Sequence, residues 1–310
     1  MSERPLVLAV VGATGTGKSD LGVRLALDLE GEVVNADAMQ LYRGMDIGTA
    51  KLTVEQRRGV AHHQLDVLDI RDEASVAGYQ QAARAAIADI QARGRHPILV
   101  GGSGLYLRAA LDRLDIPPTD PLVRATWEEY AHRHGPQAAF AVLADRDPVA
   151  AQAIEPGNVR RIVRALEVIE LTGRPFSATM PSREFIQPSL MIGLTVPRPA
   201  LDARLATRVE QMWVAGLLEE VRSLSGLGLR DGRTSSRALG YAQALAELDG
   251  AMTTSQAQEA TITATRRFVR RQESWFRPDS RIAWLGAQGD PTASALALAR
   301  AAIAENVRYD

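Results

Sequence analysis

Residues 12–19, GATGTGKS, constrain the fold of this chain more than any other stretch. They follow the apolar run PLVLAVV and open the helix-like SDLGVRLALDL, so Gly12, Gly17, Lys18 and Ser19 fit G-x-x-x-x-G-K-[ST] with a strand before and a helix after. The chemistry of phosphate binding needs these residue types. Backbone N–H groups along Gly12, Ala13, Thr14, Gly15, Thr16 and Gly17 turn inward as an anion nest at a helix N-terminus. Lys18 adds a cation, and the Ser19 hydroxyl is suited to ligate Mg²⁺. A chance glycine turn would not place one of only two lysines, Lys18 and Lys51, in the required slot. The motif predicts a grip on a di- or triphosphate, and it leaves open which bond breaks.

Further strand-like runs follow: EVVNAD, HHQLDVLD, HPILVGGSG, SLMIGLTVP and RIAWLG. Helical patterns alternate with them, among them SVAGYQQAARAAIADIQ and an alanine-rich tail from Ala287. This alternation predicts an α/β fold, a parallel sheet flanked by helices. Between residues 117 and 188 the pattern turns helical and rich in Arg, Glu and His, which predicts a helical insertion domain in a catalytic core of 1–116 plus 189–310. A length of 310 residues suffices for such a core. The net charge of −1 excludes a global field for nucleic acid or membrane, so any such role must come from local clusters. The absence of cysteine excludes disulfides, thiolate metal sites and cysteine nucleophiles. The polar N-terminus does not read as a secretory signal and no apolar run is long enough to span a bilayer, so a cytoplasmic protein without membrane contact is expected.

Asp37 falls just past EVVN, at the carboxyl end of a strand, where open α/β sheets bind ligands. General base, second-sphere partner of Mg²⁺ and cap of the following turn are all open roles for it. The segment that holds it, NADAMQLYRGMDIGTAK, resembles the signature of the tRNA dimethylallyltransferases, also called tRNA isopentenyltransferases, of bacterial type. The resemblance continues in family order through HHQLDV, VGGSGLYLRAAL, NVRRIVRALEVIELTGRP, RALGYAQ and TRRFVRRQESWFR, and so covers most of the chain.

The resemblance implies a P-loop, nucleotide-kinase-like core with a helical insertion domain that contacts tRNA. It implies transfer of a dimethylallyl group from dimethylallyl diphosphate to N6 of the adenosine just 3′ of the anticodon, in tRNAs reading codons that begin with U. Mg²⁺ is the implied cofactor, the tRNA anticodon loop the implied partner, and a monomer is expected. By the same resemblance Asp37 is the base that removes the N6 proton, because the amino lone pair is delocalised into the ring and attacks poorly without one. Lys18, the loop N–H groups and Mg²⁺ at Ser19 stabilise the departing diphosphate. Arg204 and Arg208, four apart on one helix face, supply an arginine to the diphosphate. Ser103 stands where the family usually has threonine, and Ala38 where serine is common, so here the first keeps its hydroxyl and the second lacks one.

Contacts to tRNA are expected from Asp37, Ala38, Met39, Gln40 and Ser103, from Gly240, Tyr241 and Gln243, and from two basic patches. One patch is Arg160, Arg161 and Arg164; the other lies in residues 266–281, where six arginines, including Arg266, Arg270, Arg271 and Arg277, interleave with aromatics. Trp275 and Phe276 read as core anchors of that helix. His62 and His63, adjacent on a strand and therefore facing opposite ways, read as structural residues rather than metal ligands. Three other activities fit parts of the sequence: a P-loop kinase of a nucleotide or metabolite, a nucleotide-switched RNA-binding module, and prenylation of free adenine nucleotides.

Overall fold

The computed structural model describes residues 4–179 and 183–309. Six strands form one parallel sheet: β1 (Val7–Gly12), β2 (Glu32–Asn35), β3 (His62–His63), β4 (Pro97–Gly101), β5 (Ser189–Thr195) and β6 (Ile282–Gly286). Their order is β3-β2-β4-β1-β5-β6. β1 lies at the centre, with Val10 beside Val100 of β4 on one side and Ile192 of β5 on the other. All six residues of β1 are buried, as a continuous apolar run requires when helices cover both faces of a parallel sheet.

Helices α1 (Lys18–Asp28), α2 (Val76–Ala92) and α3 (Gly104–Leu111) follow the first strands, and α8 (Arg198–Val214), α9 (Leu217–Gly226), α10 (Tyr241–Leu248), α11 (Thr254–Phe276) and α12 (Thr292–Tyr309) belong to the second half of the chain. Leu8, Val10, Leu25, Ile98, Ile192, Leu205 and Ala299 share one core. A second core gathers Tyr42, Met45, Leu217, Val221 and Tyr241 around the segment after β2.

The run HHQLDVLD forms only a two-residue strand. Gln64 and Asp66 adopt φ of 60° and 56°, a left-handed conformation that ends the extended chain immediately after His63. Asp66 is held there by Lys51, whose buried Nζ also meets Asp46 and the Tyr42 carbonyl.

The chain divides into two compact units, and the helical one runs from Asp112 to Glu184. Each boundary therefore falls a few residues earlier than the 117–188 read from the sequence. The unit comprises α4 (Pro121–His134), α5 (Pro136–Arg146), α6 (Pro148–Ala153) and α7 (Val159–Thr172). Proline at the first position starts three of them, and Asp120 and Asp147 cap two through their carboxylates. One face of α7 buries Ile162, Val163, Ala165 and Leu166 against Trp127 and Leu143. Glu167 on α7 is fully buried and accepts hydrogen bonds from the Thr119 hydroxyl, the Asp120 N–H, Arg124 and Arg164. Burial raises its pKa, but these donors outweigh that and hold the carboxyl down at about 2.

Candidate active site

The loop between β1 and α1 begins at Gly12, with φ 134°, and a Cβ there would sit 2.7 Å from the Leu194 carbonyl oxygen. Only glycine fits that close approach. Gly17 caps α1 with φ 89° and opens the helix N-terminus toward the cavity. Ala13 and the Thr16 side chain are buried, and the Thr16 hydroxyl donates to the Ala13 carbonyl, so these two positions offer backbone rather than side chains to a ligand.

Lys18 Nζ donates to the same carbonyl at 2.6 Å. Burial is the main cause that lowers the Lys18 pKa to about 8; Asp37 opposes the shift and Arg208 adds to it. Arg208 reaches the loop directly, donating to Thr14 Oγ1 at 3.2 Å, and burial lowers its pKa too. Arg204 turns one N–H to the Ala287 carbonyl at 3.4 Å. Thr14, Gly15, Gly17, Lys18, Ser19, Arg204 and Arg208 all border one cavity of about 700 Å³.

A second cavity of about 360 Å³ adjoins this one. Thr14, Asp37, Thr49, Arg208 and Met212 border both, so Asp37 stands at the junction. Its backbone N–H is held by Asn35 Oδ1, and its Oδ1 accepts from the Met39 N–H at 3.0 Å. Asp37 is thus a cap for the turn over Met39–Leu41, in addition to facing both cavities. Ser103 ends the loop after β4, and its Oγ accepts from the Ala38 N–H at 3.2 Å. Ala38, Met39 and Ser103 border the second cavity together with Phe268 and Arg271 of α11. The Arg271 guanidinium lies 5.7 Å over the Phe268 ring.

Not every expected tRNA contact lies where the sequence placed it. Gln40 borders the larger cavity and donates to the Thr49 carbonyl. Tyr241 is fully buried beneath Gly48, its hydroxyl donating to Glu220 at 2.6 Å, and so presents no surface to RNA. Gln243 uses its carbonyl to cap α10 through the Gly240 N–H. Arg237 and Leu239, earlier in the same segment, do border the second cavity. Arg164 is committed to Glu167 and to the carbonyls of Pro117 and Pro118, whereas Arg160 and Arg161 are exposed. Arg266 is half-buried beside Asp202, while Arg270, Arg271 and Arg277 are exposed. Phe276 is buried as a core anchor, but Trp275 is 45% exposed and covers Gly104, where a Cβ would collide with its ring.

Two groups escaped the sequence reading. Glu220 accepts from the backbone N–H groups of Ile47 and Asp46, and so fixes the loop that leads to Thr49. Gln272 joins the phosphate loop to the loop of Ser103, accepting from the Thr14 N–H at 2.9 Å and donating to the Gly102 carbonyl at 3.0 Å. Gln272 lies within the TRRFVRRQESWFR segment and Glu220 outside every segment of the resemblance, and neither role could be read locally because each acts on backbone far away in sequence.

Among the described residues no group of three or more His, Asp or Glu converges as a protein-built metal cage. His62 bonds the Val60 carbonyl and His63 bonds Glu32, as structural residues would. The donor set at the loop, one hydroxyl at Ser19 beside a phosphate nest, fits Mg²⁺, which is commonly held by substrate phosphates and water with few protein ligands. No helix among the described residues is long and apolar enough to cross a membrane.

Fold and site together define an α/β protein of the P-loop type, with a phosphate grip opening into a second cavity past a carboxylate. The comparisons narrow this class. The family described as IPP transferase matches residues 40–279. The tRNA dimethylallyltransferases of Kineococcus radiotolerans and Thermobifida fusca are each 61% identical to the chain, over 91% and 90% of its length and 91% and 89% of theirs. The solved structure of a full-length tRNA isopentenylpyrophosphate transferase from Bacillus halodurans superposes with a TM-score of 0.71 at 38% identity, covering 98% of both chains. A eukaryotic dimethylallyltransferase acting on tRNA gives a TM-score of 0.82 at 29% identity, over 95% of this chain and 78% of that one. The chain belongs to the IPP transferase family.

Proposed function

We propose that this chain transfers a dimethylallyl group from dimethylallyl diphosphate to N6 of the adenosine 3′-adjacent to the anticodon in tRNAs reading codons that begin with U. The observation that carries the reading is the position of Asp37, at the junction of a cavity built for phosphates and a cavity bordered by Ser103, Phe268 and Arg271. A phosphorylated donor entering from one side and a base entering from the other meet at this carboxylate.

The allylic carbon faces Asp37 when the diphosphate sits on the loop N–H groups with Lys18 and Arg208; the Thr14 N–H, expected in that nest, is instead held by Gln272. As the C–N bond forms, Asp37 takes the N6 proton, and the electron pair of the breaking C–O bond leaves with the diphosphate. Lys18 and Arg208 stabilise that growing charge in a half-buried site, where one such contact is worth roughly 3–4 kcal/mol of barrier. Mg²⁺ at Ser19 would share the diphosphate charge as a Lewis acid. Ser103 orients the acceptor and keeps the Asp37 loop in place through Ala38. Exposed Arg270, Arg271 and Arg277 supply contacts to the anticodon loop, and Arg160 and Arg161 give the helical unit its own contacts to tRNA. The protein acts in the cytoplasm.

The assay combines the protein with Mg²⁺, carbon-labelled dimethylallyl diphosphate and tRNA lacking the modification. Label recovered as N6-isopentenyladenosine at the predicted position supports the reading. Label only in AMP or ADP, or ATP-dependent phosphorylation of a metabolite without label transfer, would replace it.

A further inference from the structure

The transfer just described needs two cavities held in register, and one buried side chain spans the loops that build them. Gln272 projects from α11, is 5% exposed, and follows the exposed Arg270 and Arg271 and precedes the half-buried Glu273 in sequence. Its Oε1 accepts from the N–H of Thr14 in the phosphate loop, and its Nε2 donates to the carbonyl of Gly102 in the loop after β4. The fit leaves no slack. A Cβ on Gly102 would lie 2.2 Å from Nε2. Gly102 does not adopt a left-handed φ, so a side chain there would first have to displace the amide of Gln272, with the Gly12 carbonyl oxygen next at 3.2 Å.

Both ends of this bridge continue into the site. Thr14, on the donor side, accepts from Arg208 through its hydroxyl. Gly102, on the acceptor side, precedes Ser103, whose hydroxyl holds the Ala38 N–H next to Asp37. The loops after β2 and β4 are already joined by backbone bonds, Ala36 N–H to the Val100 carbonyl and Ser103 N–H to the Ala36 carbonyl. The phosphate loop joins that pair through Gln272. Glutamine suits the task because one flat amide offers a donor and an acceptor at a fixed separation.

We infer that Gln272 is a positioning residue that sets the register between the leaving-group cradle and the Asp37–Ser103 acceptor side, so that the allylic carbon and the nucleophilic nitrogen approach in line. It touches neither substrate. The inference rests on the prenyl-transfer reading, and its consequence is kinetic: each substrate still finds its own cavity, while the geometry between them loosens. Misplacement by about 1 Å is enough to cost roughly 100-fold in rate.

The test compares wild type with Gln272→Glu and Gln272→Met. The first keeps the acceptor, loses the donor and sets a carboxylate against the Gly102 carbonyl; the second keeps the bulk and loses both bonds. A thio-analogue of dimethylallyl diphosphate and an unmodified anticodon stem-loop serve as binding probes, and single-turnover transfer reports the chemical step. Both variants are expected to bind each probe within about threefold of wild type and to transfer about 100-fold more slowly. Gly102→Ala, which displaces the amide from the other side, is expected to match that loss, and to add little to it in the double variant with Gln272→Met. This non-additivity is a readout that independent packing defects would not give, and Gly102→Ala carries the test should a Gln272 variant fail to fold. Folded variants with wild-type turnover overturn the inference, as do variants whose loss lies entirely in probe affinity or whose effects simply add. Absence of transfer in the wild type itself would instead overturn the prenyl-transfer reading.

Discussion

Replacing Asp37 by asparagine separates its roles within one side chain. The carboxylate caps the Met39 N–H through Oδ1 and faces Lys18 and Arg208 electrostatically, and in the proposed reaction it also accepts the N6 proton. Asparagine keeps an oxygen for the cap and loses both the charge and the basicity. General-base catalysis contributes about 10²–10⁴-fold, so the barrier should rise by about 3–5 kcal/mol. Donor affinity should hold or improve, because a negative charge facing the phosphate grip has gone. Alanine at the same position should lose a comparable rate and, in addition, about 1 kcal/mol of stability for the missing cap. The assay is single-turnover transfer to an anticodon stem-loop, beside titration with a thio-analogue of the donor and thermal unfolding of all three proteins. An asparagine variant that transfers at the wild-type rate would refute the assignment of the base. One that binds the donor far more weakly would show that Asp37 serves the grip instead.

Three further outcomes follow from the same structure. With a Lys18 pKa of about 8 in the empty site, diphosphate binding near pH 8 should take up a fraction of a proton, and affinity should fall as pH rises from 7 to 9 and the ammonium is lost; calorimetry in buffers of different ionisation heat measures the uptake, and zero uptake contradicts it. Tyr241→Phe leaves Glu220 without a buried hydroxyl donor and should cost about 1.5–3 kcal/mol of stability while leaving stem-loop affinity unchanged in the folded protein, which chemical denaturation and a binding titration decide. Glu167, held at a pKa of about 2 against an ordinary value of 4.5, contributes about 3 kcal/mol that is complete above about pH 5 and lost as pH falls toward 2; exchange protection of α4 and α7 amides should fall across that window, and in Glu167→Gln this dependence should vanish.

The centre of the fold and half of the site were legible in the sequence, for identifiable reasons. The loop at 12–19 announces itself because its chemistry is local: the glycines, Lys18 and Ser19 act within one turn of chain, between a strand and a helix they help define. Asp37 and Ser103 were legible because strand ends in a parallel sheet converge, so topology alone brings them to the loop. What failed was long-range. Gln272 bonds partners 258 and 170 positions away, and a glutamine between Arg271 and Glu273 reads only as one more polar surface residue. Tyr241 looked available for RNA, yet the bare Cα of Gly48 makes the slot that buries it. Trp275 shows the converse: Gly104 gives its ring a flat seat at the surface where a core position was expected. The shortened β3 depends on left-handed Gln64 and Asp66, and neither residue type signals that conformation by itself.

The central claim is that the loop at 12–19 grips a leaving group and passes no phosphoryl on. The fate of the oxygen that bridges carbon and phosphorus in dimethylallyl diphosphate tests this most directly. With heavy oxygen at the bridge, single-turnover reaction on unmodified tRNA should release intact diphosphate that carries all of the label, with the allyl carbon bonded to N6 of the adenosine. Heavy oxygen retained on the allyl fragment, or inorganic phosphate released in place of diphosphate, would mean that a P–O bond had broken and would contradict the account.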